Sequence, residues 1–189
     1  MVVFILYIKA DLTGIATVAM APGTDICVSV RNPLDQVEVR EKVVIESDEL
    51  IYQPEGGGKH SHEAHPEPAC HFSLKWDGAS QRSTIQVLSE LPGGNKKSKG
   101  KGTNNNNNNN NDSSPREMTA KDSGTFVPVL ALECLGLEPY AFHPIGKEFI
   151  VTNKAGVTFD EVDLSKGTWR EYELSTGSTT IENFESKFM

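Results

Sequence analysis

The sequence predicts a mainly β protein: two similar sandwich- or barrel-like units packed together and joined by a disordered Asn-rich loop. Three observations carry this. Short Val- and Ile-rich runs, several of them alternating apolar with polar residues, fill both ends of the chain. No window of ten or more residues sustains a 3.6-residue apolar period. The pattern of the first part recurs in the last part.

The elements follow in order. VVFILYI is an apolar run bounded by Lys9 and Asp11. It has no basic leader and is far shorter than the ~20 residues of a membrane helix. It reads as a buried strand of a soluble cytoplasmic protein, with no membrane partner. Ile26–Val30 and Val37–Val39 alternate, and Val43–Ile45 and Leu50–Tyr52 follow. Phe72–Trp76 and Ser83–Leu88 alternate again. In the last part, Phe126–Leu132 repeats the apolar run. Pro128 lacks a ladder donor there, which predicts a bulge or an edge. Phe149–Thr152 and Val157–Phe159 come next. A short turn at Asp163–Trp169 is the best candidate for helix. Glu138-Pro139 reads as a turn, since the proline ring fixes the backbone angle.

LYIKADLTGI with a corner at Pro22-Gly23 and the strand DICVSV matches LALECLGLEP with a corner at Pro144-Ile145-Gly146 and the strand EFIVTN. The offset is 124 residues at Leu6/Leu130 and 122 at Pro22/Pro144, so the register nearly holds. A unit this small buries little surface alone, and packing on its twin repairs that.

Charge divides the chain the same way. Residues 1–92 carry 7 basic and 13 acidic groups, residues 93–122 carry 6 and 3, and residues 123–189 carry 5 and 10. The nets are -6, +3 and -5, which sum to -8. The expected organisation is an N-terminal β unit (1–91, with a His-rich loop at 56–71), an insert (92–122) and a C-terminal β unit (123–189). The insert holds Lys96, Lys97, Lys99, Lys101 and the run Asn104–Asn111. It has too few apolar side chains to offset the entropy lost on ordering. Two acidic packed parts argue against a general nucleic-acid partner. Cys27, Cys70 and Cys134 are too few and too scattered for a disulfide framework, and read as reduced thiols.

The C-terminal part is the most specific. FVPVLALECLGLEPYAFHP resembles the F-E-C-R-G-L-E-P segment of the eukaryotic CXXC-motif-containing zinc-binding proteins. Glu133, Cys134, Gly136, Leu137, Glu138, Pro139, Phe142 and Pro144 carry the match. Leu135 stands where the family has Arg. In GVTFDEVDLSKGTWREYEL, Phe159, Val162, Asp163, Leu164, Trp169 and Tyr172 match a second family stretch, and LYIKADLTGIATV resembles its opening strand. The resemblance implies an all-β fold, a poorly defined role and a zinc held by two C-x-x-C pairs. Four thiolates make a closed structural site. Here those positions fall near Asn32 and Asp35, and near Trp76 and Ala79, and no C-x-x-C occurs in the chain. A four-thiolate site does not survive loss of all four ligands. Trp76 is expected to plug the space left. No cofactor is expected, and zinc enters only through the family.

HSHEAHPEPACH offers the alternative. His60, His62, His65, Cys70 and His71 could bind zinc or copper. The segment follows three glycines and includes Pro66 and Pro68, so binding would carry an ordering cost. No catalytic constellation is present. The Gly56-Gly57-Gly58 run lacks the phosphate-loop context, and neither G-x-S-x-G nor H-E-x-x-H occurs. Glu133, Glu138, Asp160, Glu161 and Asp163 have no evident partner for acid–base work. The expectation is a non-enzymatic cytoplasmic protein, with nuclear access open, that works through a protein partner. The rival is a metal-handling protein using the His-rich loop.

Overall fold

Strand pairing organises the chain. The computed structural model describes residues 1–51, 69–89, 91, 114–173 and 177–189. The first part gives β1 (Val2–Thr13), β2 (Ile15–Met20), β3 (Ile26–Arg31), β4 (Val39–Ile45), β5 (Phe72–Leu74) and β6 (Ser83–Leu88). A short β7 (Met118–Thr119) and a 3-10 turn (Ala120–Asp122) follow. The last part gives β8 (Val127–Leu135), β9 (Glu138–Phe142), β10 (Phe149–Asn153), β11 (Thr158–Val162), β12 (Trp169–Glu173) and β13 (Gly177–Phe188).

Among the described residues three antiparallel sheets result, with orders β12-β13-β1-β8-β6-β5, β11-β10-β2-β7 and β4-β3-β9. They curl into half-barrels. The orders display the internal repeat. Exchanging β1–β6 for β8–β13 turns the six-stranded order into its own reverse, and turns β4-β3-β9 into β11-β10-β2. The repeat axis runs between β1 and β8, where Leu6 faces Leu130, the pair that matches in sequence. Both halves also carry the same bulge. Val28 faces Val43 while Val30 faces Arg40, and Phe149 faces Val162 while Val151 faces Phe159. The extra residue puts Lys42 and Glu161 at a φ of 53°, a left-handed value that ordinary residues take only where bulge geometry requires it.

One continuous core lies between the sheets. Leu6, Ile8 and Ala10 of β1, Ile26, Val28 and Val30 of β3, Leu130 and Leu132 of β8, and Phe149 and Val151 of β10 all face it. The period of two in these runs places their apolar side chains on one face. Phe149 packs edge-to-face on Phe142 and Phe184, with centroids 6.3 and 5.5 Å apart.

Each sheet contains strands of both halves, so the two similar units pack together through shared sheets, and Met118 of β7 is fully buried. Several local expectations change here. Asp163–Trp169 is no helix: Gly167 N–H donates to Leu164 O, and Trp169 opens β12. Glu138-Pro139 is no turn. The two residues pair with Arg31 and Val30 in β9, an edge strand of its sheet, where a missing ladder donor is tolerated. Of the predicted strand Val37–Val39, only Val39 is extended, as the first residue of β4. The bulge at Pro128 is present, since Leu6 faces Leu130 while Tyr7 faces Pro128. The insert up to residue 113 lies outside the described residues.

Candidate functional site

The two segments where the resemblance places the zinc ligands are turns. The first, residues 32–38, joins β3 to β4. Asn32 accepts Leu34 N–H through Oδ1 at 2.9 Å, and Asp35 accepts Val37 N–H through Oδ1 at 3.1 Å. These local bonds to backbone two residues on make Asx turns. Asn32 N–H donates to Glu38 O, and Glu38 N–H to Asp35 O, which closes the loop. The second turn, residues 76–79, links β5 to β6 and is closed by Ala79 N–H on Trp76 O at 3.2 Å.

Chain folding brings these turns together. The Glu38 carboxylate accepts Asn32 Nδ2 at 2.7 Å on one oxygen and Asp77 N–H at 2.9 Å on the other. These two bonds, first the Asn32 amide and then the Asp77 amide, hold its carboxyl below the ordinary value, and Arg40 adds to this. Trp76 is 4% exposed and belongs to the core. Its Nε1–H donates to Gly136 O at 2.8 Å, and the Arg40 guanidinium lies over its ring at 5.4 Å. The indole therefore has a partner for its polar atom and a packed face.

This set does not fit a zinc ion. Trp76 and Ala79 offer no metal donor in their side chains. Asn32 Oδ1 and Asp35 Oδ1 already accept backbone N–H groups. Among the described residues, no three His, Cys, Asp or Glu side chains converge as a metal site would require.

The His-rich alternative divides at the edge of the described residues. His60, His62 and His65 lie outside them. Cys70 is buried and pairs backbone to backbone with Ile51. His71 accepts Val87 N–H through Nδ1 at 3.0 Å. Burial pushes its imidazole toward the neutral form. The lone pair a metal would need on Nδ1 already serves the strand beside it.

The thiols are equally sheltered. Cys27, Cys70 and Cys134 are all buried, and none is in a disulfide. Burial, with a smaller effect from Glu133, pushes the Cys134 thiol up to about 12. The acids considered from sequence do not converge either. Glu138 pairs with Arg31 at 3.0 Å, and Asp163 accepts Ser165 N–H at 2.8 Å.

Sequence reasoning missed one polar cluster on the outer face of the three-stranded sheet. Ser29 donates to Glu41 Oε2 at 2.5 Å and contacts His143 Nε2 at 2.7 Å. Lys42 N–H also reaches Ser29 Oγ, and Tyr140 donates to Glu41. The Ser29 proton is committed to Glu41, so the His143 Nε2 carries the hydrogen toward Ser29. This is not a nucleophile array. The acid meets the serine rather than the histidine, and Ser29 is fully buried. No sequence signal links these residues, because three strands bring them together. A cleft of about 430 Å³ opens elsewhere, with Ile26, Val87 and Leu130 among its apolar wall and Asp48 and His71 on its polar side.

Comparison with known proteins settles the ancestry. The eukaryotic family of CXXC motif containing zinc binding proteins matches residues 5–189. The chain belongs to this family. A relative in Drosophila melanogaster, UPF0587 protein CG4646, is 39% identical over 79 residues, covering 41% of this chain and 48% of the relative. The CXXC motif containing zinc binding protein of Xenopus laevis is 34% identical over 70 residues, covering 36% and 44%. The chain thus spans about half the length of the curated relatives it matches. Two solved structures share the fold: a hypothetical protein from Plasmodium falciparum (TM-score 0.73, 18% identity, 100% of both chains) and C1orf123 (TM-score 0.74, 18% identity, 100% of this chain and 99% of the other). As a CXXC-family chain it shares the fold, while no C-x-x-C motif occurs in its sequence. Among the described residues, no helix is long and apolar enough to cross a membrane.

Proposed function

We propose that this chain is a non-enzymatic, cytoplasmic interaction protein that uses the family scaffold without its zinc ion. One observation carries the reading. The positions that the resemblance assigns to zinc thiolates fall near Asn32, Asp35, Trp76 and Ala79, none of them a thiol, and Asn32 Oδ1, Asp35 Oδ1 and Trp76 Nε1 each already have a partner within the protein. A structural zinc contributes on the order of 10 kcal/mol to a small domain. A chain that lacks it must hold the same turns by packing and hydrogen bonds, and Trp76 supplies part of that.

The test is elemental analysis of the full chain, purified without a His tag. Protein free of zinc and copper supports the reading. Stoichiometric zinc that disappears on His60→Ala and His62→Ala substitution overturns it in favour of the His-rich loop.

A further inference from the structure

We propose that the Glu38 carboxylate is the cross-link that takes the place of the family's metal ion, tying the 32–38 turn to the 76–79 turn. This rests on the zinc-free reading above. In a thiolate site one ion holds two turns by bonding to both. Here one carboxylate does the same, with Asn32 Nδ2 on one oxygen and Asp77 N–H on the other. A carboxylate accepts at both oxygens, and bonds to an ionised acceptor are stronger than neutral ones. Trp76, next to Asp77 in the chain, anchors the second turn to Gly136 O, which leaves its Asp77 N–H aimed at Glu38.

The internal repeat provides a control within the molecule. Asn153 ends β10 as Asn32 follows β3, and Asn153 N–H donates to Val157 O as Asn32 N–H does to Glu38 O. Val157 therefore stands where Glu38 stands. The Asn153 turn closes on itself, with Oδ1 accepting Ala155 N–H and Val157 N–H at 3.0 and 2.9 Å. Its Nδ2 is buried without a partner among the described residues. Closing an Asn turn thus needs no carboxylate. Glu38 serves something beyond its own turn, and its second oxygen shows what: the neighbouring turn.

The test is amide hydrogen exchange at Asp77, with metal content measured on the same samples. Glu38→Ala should accelerate Asp77 exchange several-fold and lower the melting temperature. Glu38→Gln keeps one acceptor oxygen but presents an NH2 at the other position. It should satisfy one turn only and fall between wild type and Glu38→Ala. Unchanged Asp77 exchange in a zinc-free Glu38→Ala protein overturns the cross-link and leaves the zinc-free reading intact. Stoichiometric zinc in the wild-type chain overturns the zinc-free reading itself.

Discussion

At the scale of single residues, Trp76 carries most of the proposed zinc-free packing. Its side chain is buried, its Nε1–H is bonded to Gly136 O, and Arg40 covers its ring. Trp76→Ala should therefore cost about 3–5 kcal/mol, read as a lower midpoint in urea unfolding. An unchanged midpoint would show that the indole fills nothing essential. Asp122 offers a second residue-level prediction. The Arg116 guanidinium meets both its oxygens, at 2.9 and 2.8 Å, and Thr119 donates from its backbone and its hydroxyl. Arg116 chiefly holds this carboxyl far below the ordinary aspartate value, with Thr119 helping. A depressed folded value means the stabilisation is fully present above the unfolded value of about 3.9. It is lost as pH falls from there through the folded value. Asp122→Asn should lower stability at neutral pH and flatten its fall in strong acid. Parallel stability–pH curves for the two proteins would contradict this.

At the scale of elements, the repeat places equivalent glycines at the β1–β2 and β8–β9 corners. Gly14 has φ 71° and Gly136 has φ 69°. A Cβ on Gly14 would lie 2.8 Å from the Ser178 carbonyl oxygen, and one on Gly136 would lie 2.6 Å from Ser83 Oγ. Alanine at either site should cost more than about 1 kcal/mol in backbone strain alone. The two clashes differ in kind. Ser83→Ala should recover part of the loss in Gly136→Ala, because a side-chain oxygen is removed. No side-chain change relieves Gly14→Ala, because the obstacle is backbone. Thermal melts of the four variants check both statements, and full rescue of Gly14→Ala by a side-chain change would contradict the geometry.

The elements also show what the sequence made legible. Alternation at Ile26–Val30 and Ser83–Leu88 marked β3 and β6, and the LTGI/CLGL likeness marked the repeat, because apolar side chains at a period of two line the core face, even though the opposite face of β3 is buried as well. Glu138-Pro139 misled, since a proline tolerated on an edge strand looks like a turn until the sheet order is known. Asp163–Trp169 looked weakly helical because local composition does not reveal which backbone groups a turn satisfies. At the candidate site, the missing thiols were plain from the sequence. Glu38 was not. Its partner Asp77 is 39 residues away, and only the fold sets them side by side.

At the scale of the whole molecule, the halves complete each other. β1 pairs with β8 on one side and β13 on the other, and β3 pairs with β9. A fragment of residues 1–91 would leave both sides of β1 open, and exposed edges of this length are not tolerated alone. Residues 1–91 and 123–189 expressed separately should be unfolded by circular dichroism, while the full chain should unfold in one cooperative transition. A fragment that folds alone would refute the shared-sheet account. On the zinc-free reading proposed above, the same interdependence holds the fold: contacts across the repeat, Trp76 on Gly136 among them, tie each half to the other.

The most direct measurement of the central claim is a thermal melt of the full chain with and without a strong chelator, with zinc quantified in both samples. The account predicts superimposable curves and no stoichiometric zinc. A chelator-induced fall in the midpoint, with zinc released in proportion to protein, would contradict it.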